Sequence, residues 1–304
     1  MLIVNQTTIE NTVESSGQSV LKSIGKIIFT ILSRPSGAVG LILVILHLFL
    51  AATAALISPY DISLQNADRI LEAPSWAHWM GTDSLGRDVF SRTIAGGQVS
   101  IIITLISSIL AAVWGGLVGV SLGLIGGKID EIIMRLVDAF LAIPGLLFLL
   151  LIVSFTEGGV YALIPTLSFF NGISVIRIGR GAAQNIASKD YITAARVRGH
   201  SSKHIIFDEI MPNLQDILLV EWAMRWSWMM LAFSSLSFLG FGASPPTPDW
   251  GLMISDSREF LTVAPWAGLW PAVFLSSLII GINLLADALG KALHVDRDRS
   301  LLPG

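Results

Sequence analysis

Cysteine is absent from the 304 residues, which excludes a disulfide framework, a thiol nucleophile and a cysteine-based zinc site. Charge is nearly as scarce. Charged residues make up 13% of the chain and hydrophobic residues 53%, whereas a soluble domain carries about 25% charged residues. So little charge cannot solvate a soluble surface, and a mean hydropathy of +0.72 points to a membrane. The net charge of −3 argues against nucleic acid as a partner. Motifs for chemistry are missing too. Gly127-Lys128 is followed by Ile129 and has Leu122 where a phosphate-binding loop needs its first glycine, so that motif fails twice. Of the histidines (His47, His78, His200, His204, His294), only His200 and His204 have i, i+4 spacing. No glutamate lies between them as a zinc-protease helix requires, so they read as a surface helix face. No serine, histidine and acid recur in a nucleophile-elbow context. Catalytic residues, a metal site and a directly bound cofactor are therefore not expected. The polar N-terminus does not read as a cleaved signal peptide, and the sequon Asn5-Gln6-Thr7 on it reads as a chance match.

What the sequence does have is long apolar runs. A membrane-crossing helix needs about 20 mostly apolar residues, and six segments qualify: Gly37–Ser58, Val99–Ile125, Val137–Phe155, Val160–Ile176, Leu214–Leu239 and Leu269–Leu289. The fourth is the weakest, interrupted by Pro165 and Asn171. Small residues crowd the second (Ser107, Ser108, Gly115, Gly116, Gly119, Gly123), which allows close helix approach. The expectation is an all-α membrane protein of six transmembrane helices. Its parts would be a tail (1–36), a first helix (37–58), an external loop (59–98), a core (99–290) containing an inside loop (177–213), and a tail (291–304). Cytoplasmic segments accumulate Lys and Arg. With the N-terminus inside, the inner segments hold Lys22, Lys26, Arg34, Lys128, Arg135, Arg177, Arg180, Lys189, Arg196, Arg198, Lys203, Lys291, Arg297 and Arg299. The outer segments hold Arg69, Arg87, Arg92 and Arg258. Fourteen against four puts both termini in the cytoplasm. Trp76, Trp79, Trp250 and Trp266 in the outer segments read as interfacial anchors, with a role in admitting substrate as the rival.

Within the inside loop, Ala194, Ala195, Val197 and Arg198 suit a short helix stopped by a left-handed Gly199. Lys203–Ile210 reads as a second short helix ended near Pro212. Asp138 is costly inside the third span unless paired, and Arg135 at i−3 is the expected partner. Glu221 and Arg225 share a face of the fifth span, with Trp222 and Trp226 one residue around. Charges at that depth face a bundle interior or a water-filled cavity. This face is a candidate translocation path, and a structural ion pair with packing aromatics is the alternative.

Thr193-Ala194-Ala195, then Gly199, then Met211-Pro212 resembles the EAA loop of permeases in ATP-binding-cassette importers, with Thr193 in place of Glu and Glu209 in place of an apolar residue. The resemblance runs from about Pro35 onward. The run from Gly81 to Arg92, with Gly81, Thr82, Asp83, Gly86, Arg87, Asp88 and Arg92 in register, resembles the GTDxxGRDxxSR signature of the dipeptide/oligopeptide/nickel permease family, second ("C") subunit. Gly126-Gly127, Asp130, Met134-Arg135, Asp138 and Pro144, the run from Ser237 to Gly242, the run from Pro245 to Gly251, and Asn283-Leu284 with Asp287 match later blocks; Ala286 and Gly290 depart from them. The interleaved charges at 83, 87, 88 and 92 read as a structural network in preference to a ligand site.

The resemblance implies a subunit that does no covalent chemistry and moves peptides across a bacterial inner membrane. ATP and Mg2+ would be used by partner subunits: two ABC ATPases, beside a homologous permease and an external substrate-binding protein, all among membrane lipids. The loop would dock on the ATPase. Nickel or a metal chelate is the alternative cargo, and an export or peptide-resistance role is the alternative direction. An ion-driven secondary transporter is the rival from another class.

Overall fold

A computed structural model describes residues 25–155 and 159–300, with side chains described through 293. The sequon at Asn5 and most of the expected N-terminal tail lie outside the described residues, and the side chains of His294, Arg297 and Arg299 lie outside those described. The described residues are helical apart from loops, with one isolated β-bridge between Thr82 and Asp88.

Among the described residues, four helices are long and apolar enough to cross a membrane: α1 (Pro35–Ala52), α2 (Val89–Ile125), a span over Val160–Ala187 and one over Trp266–Leu293. The third of these contains α5 (Leu163–Ala187) and the fourth opens α9 (Trp266–Ser300). A fifth is possible if α3 (Gly127–Leu141) and α4 (Gly145–Ser154), bent by 88°, count as one broken span. The straight helix expected over Val137–Phe155 is therefore not formed. Pro144 disfavours helical geometry at Ile143 and caps α4, while the charged, amphipathic α3 turns aside. The expected fifth span is α7 (Met211–Leu236), 26 residues long, or about 39 Å. Glu221, Arg225 and its serines lower its apolar character, and it is not one of those four strongly apolar helices.

Other boundaries move as well. The first span breaks at Thr53 before a last turn, Ala54–Ile57. α2 starts at Val89 and not at Val99, because Asp88 caps it by accepting from Ser91 N–H at 2.8 Å. α5 runs eleven residues beyond Ile176 to Ala187, so the first third of the expected inside loop is helix. Pro212 ends nothing: a π-helical stretch, Ile205–Ile210, leads straight into α7, where Pro212 sits in the first turn. The wider turn re-registers the hydrogen bonds around a proline that cannot donate.

α2 packs closely along α5 because Cβ atoms are missing where the backbones meet. A Cβ on Gly115 would lie 2.5 Å from Gly172 O, and one on Gly119 2.5 Å from Ile176 O. Contacts this tight are how helices associate where water supplies no hydrophobic drive. Arg180 on α5 binds both carboxylate oxygens of Asp130 on α3. Asp138 pairs with Arg177 of α5, and Arg135 with Glu131, so the expected Arg135–Asp138 pair is not made. Arg177 becomes available to Asp138 because α5 extends far enough to carry it past α3.

Candidate functional site

Two clusters of residues converge at opposite ends of the bundle. At the end where α2 begins, the Gly81–Arg92 stretch folds into a charge network beside the α8 helix (Trp250–Ser257). Asp83 accepts from Arg87 N–H at 3.0 Å and from its Nε at 2.7 Å, with Arg92 Nε at 3.6 Å. Arg92 is 1% exposed and donates through Nη1 to Ile62 O (2.8 Å) and Pro246 O (3.1 Å), tying three loops together. Asp88 accepts from Ser91 through one oxygen and meets His78 Nδ1 at 2.8 Å through the other, while His78 Nε2 lies 3.1 Å from Arg69 Nη1. Those partners place the imidazole proton on Nδ1. Burial pushes the Asp256 carboxyl above its ordinary range, and Arg87 and Arg92 pull it back. Gly81 and Gly86 have φ of +75° and +68°. A Cβ at Gly86 would lie 1.9 Å from Asn66 O, so only glycine fits. Opposite charges in contact, backbone carbonyls as acceptors and little exposure make this a packing device.

In the run from Pro245 to Gly251, Pro245, Pro246 and Thr247 stay exposed, and the chain turns inward at Pro248, Asp249 and Trp250, which are buried. Trp250 is 1% exposed, donates to Thr93 O at 2.8 Å and rests on Gly97. It is thus a core residue and not an interfacial anchor. Trp76 is 98% exposed and Trp79 58%, while Trp266 Nε1 donates to Thr82 O at 3.1 Å. Asp249 is fully buried. It caps α8 through Leu252 N–H (3.0 Å) and accepts from Ala243 N–H (2.9 Å) and Ser237 Oγ. Its position before an apolar helix was a readable cap signal. His78, ten residues from its carboxylate partner, offered none.

At the other end, α6 (Asp190–Val197) forms a knob. Gly199 has φ +82°, its N–H donates to Arg196 O at 2.9 Å, and His200 N–H donates to Ala195 O at 3.1 Å. This paired closure is a Schellman motif. Ile192 and Ala195, both 0% exposed, seat the knob on Val120 and Leu124 of α2, Ala183 of α5, Ile205, Ile206, Ile210 and Leu214. Arg196 adds a hydrogen bond to Leu124 O at 3.2 Å. Thr193, Ala194, Val197, Arg198 and Gly199 face outward, with Val197 83% exposed. Met211 and Pro212 lie behind the knob at the foot of α7. His200 and His204 do not share a helix face: Ser201 caps the helix between them, accepting from His204 N–H at 3.3 Å.

Between the two ends, Glu221 and Arg225 of α7 pair with each other, partly exposed. Trp222 and Trp226 stack with ring centroids 6.1 Å apart and donate to Ser108 and Thr104 of α2 at 3.0 and 3.2 Å. Trp222 also lines an apolar cleft of about 520 Å³ between α2 and α7, with Ile109, Val113 and Leu219. The aromatic pair therefore packs between helices, while the charges sit one residue around.

Residues 115–297 match a family profile described as "Binding-protein-dependent transport system inner membrane component". The dipeptide transport system permease protein of Haemophilus influenzae is 35% identical over 84% of this chain and 88% of its own length. The oligopeptide transport system permease protein of Bacillus subtilis is 34% identical over 86% of each. The glutathione transport system permease protein of Pectobacterium atrosepticum is 34% identical over 82% of this chain and 83% of its own. Matches of this extent, on a multi-helix apolar bundle with a seated knob, establish that the chain belongs to the binding-protein-dependent transport system inner membrane components, the permease subunits of ATP-binding-cassette importers.

Proposed function

We propose that this permease carries peptides across a bacterial inner membrane, driven by ATP hydrolysis in two partner ATPase subunits that take the ATP and Mg2+. The observation that carries this reading is the knob: α6 has an apolar inner face fully buried on α2 and α7 and an outer face of Thr193, Ala194, Val197 and Arg198 left exposed. A partner that pushes on it moves helices and not a slack loop, as alternating access requires. In this reading the chain adopts six spans with both termini and the knob in the cytoplasm, beside a homologous permease, and an external binding protein delivers cargo. Peptide cargo is favoured because the relatives above are named for dipeptide, oligopeptide and glutathione transport.

Reconstitution of the full complex in vesicles tests this. Peptide accumulation should require ATP, both ATPases and the binding protein. Uptake that follows an ion gradient without ATPases would overturn it, and outward movement would reverse the direction.

Glu221 and Arg225 are placed on the translocation path in this proposal. They satisfy each other on α7, leaving Trp222 and Trp226 to the α2 contact. Replacing both with Gln removes paired charge at nearly constant volume. Peptide uptake by the double variant should fall by roughly tenfold, in line with a lost charge-assisted contact of about 1.5 kcal/mol. Unchanged uptake at full protein level would take these residues off the path.

A further inference from the structure

The knob's C-terminal stop brings together a set of ligating groups that the transport reading does not use. His200, His204 and Glu209 each present a ligand atom, and the three lie within 4.8 Å of one another. The imidazole rings of His200 and His204 meet edge to face at 4.4 Å between centroids. Their convergence depends on the local backbone. Gly199 at φ +82° turns His200 back over the first turn of the next helix, and Glu209 lies in the π-helical stretch Ile205–Ile210. Bonds in a π-helix run from i to i+5, so the fifth residue after His204 returns to His204's side. In an α-helix it would point away.

Two further observations bear on a ligand. His200 Nδ1 is buried without a hydrogen-bond partner among the described residues, and an orphaned imidazole nitrogen is costly unless something fills its lone pair. His204 Nδ1 lies 2.8 Å from Asp208 Oδ2. That contact puts the proton on Nδ1 and leaves Nε2 as a donor lone pair, the carboxylate–histidine arrangement that orients metal-bound imidazoles.

We infer that His200, His204 and Glu209 form a binding site for a borderline divalent transition-metal ion of the Zn2+ type, with Asp208 positioning His204. Two imidazole nitrogens and one carboxylate suit Zn2+ far better than the all-oxygen shells of Mg2+ or Ca2+. Three protein ligands leave a fourth position for water. The ion would bridge the stop after α6 to the foot of the helix leading into α7, stiffening the joint through which the knob is attached.

The experiment is Zn2+ titration of the full-length chain, purified in detergent without a histidine tag, followed by Co2+ substitution. Wild type should take up about one ion and give the intense visible absorption of a low-coordinate Co2+ centre. His204→Gln and Glu209→Gln should each weaken Zn2+ binding at least tenfold, and Asp208→Asn by roughly 10–100-fold. Lys203→Gln, on the same turn but outside the ligand set, should bind as wild type. Equal Zn2+ uptake by all four variants, or a Co2+ spectrum no different from that of the ion in buffer, overturns the inference. No transport is measured, so the outcome is independent of cargo and coupling.

Discussion

Gly199→Pro is expected to leave the protein inserted in the membrane while abolishing ATP-driven uptake and co-purification of the ATPases. Two losses fall on one residue. Proline holds φ near −65° where the chain needs +82°, and it removes the N–H that donates to Arg196 O. Together these cost about 3 kcal/mol or more, enough to open the stop that turns the chain from α6 toward α7. The inserted helices are untouched, because the loss falls outside the spans. A Cβ at Gly199 meets nothing within 4 Å, so Gly199→Ala isolates the backbone strain at about 1–2 kcal/mol and should reduce transport without eliminating it. Uptake assays and pull-down of tagged ATPase subunits decide the matter. Survival of both in Gly199→Pro would place coupling elsewhere.

The second large effect lies at the opposite end. Asp249→Ala should lower the melting temperature of the detergent-purified protein by roughly 5–10 °C. The carboxylate is fully buried and receives three hydrogen bonds, two of them from the backbone N–H groups of Ala243 and Leu252. Truncation strands both donors and removes the cap of α8, and each stranded buried group costs about 1–3 kcal/mol. Trp250 follows directly and is held between Thr93 and Gly97, so a loosened cap loosens the wedge between α2 and α7. Asp249→Asn keeps one acceptor oxygen and should show a smaller fall. A melting temperature unchanged in Asp249→Ala would show that the cap carries no stability.

Much of this protein follows from its sequence alone. Scarce charge and long apolar runs determine a membrane protein, because unsatisfied charge and exposed apolar surface each have only one comfortable solvent. The Schellman stop at Gly199 was legible because few residues adopt φ > 0. The buried network at residues 83, 87, 88 and 92 was legible because opposite charges interleave at short spacing. The tertiary structure decided what depends on partners distant in sequence. Arg177 and not Arg135 meets Asp138, because α5 extends past its apolar segment. Trp250 became a core wedge because Gly97, over 150 positions away, leaves room for an indole. Pro212 failed to break its helix because a π turn absorbed the missing donor. His200, His204 and Glu209 met only through a left-handed glycine and that same π turn. Local spacing reports neighbours along one regular element, and these contacts lie across elements or across an irregular turn.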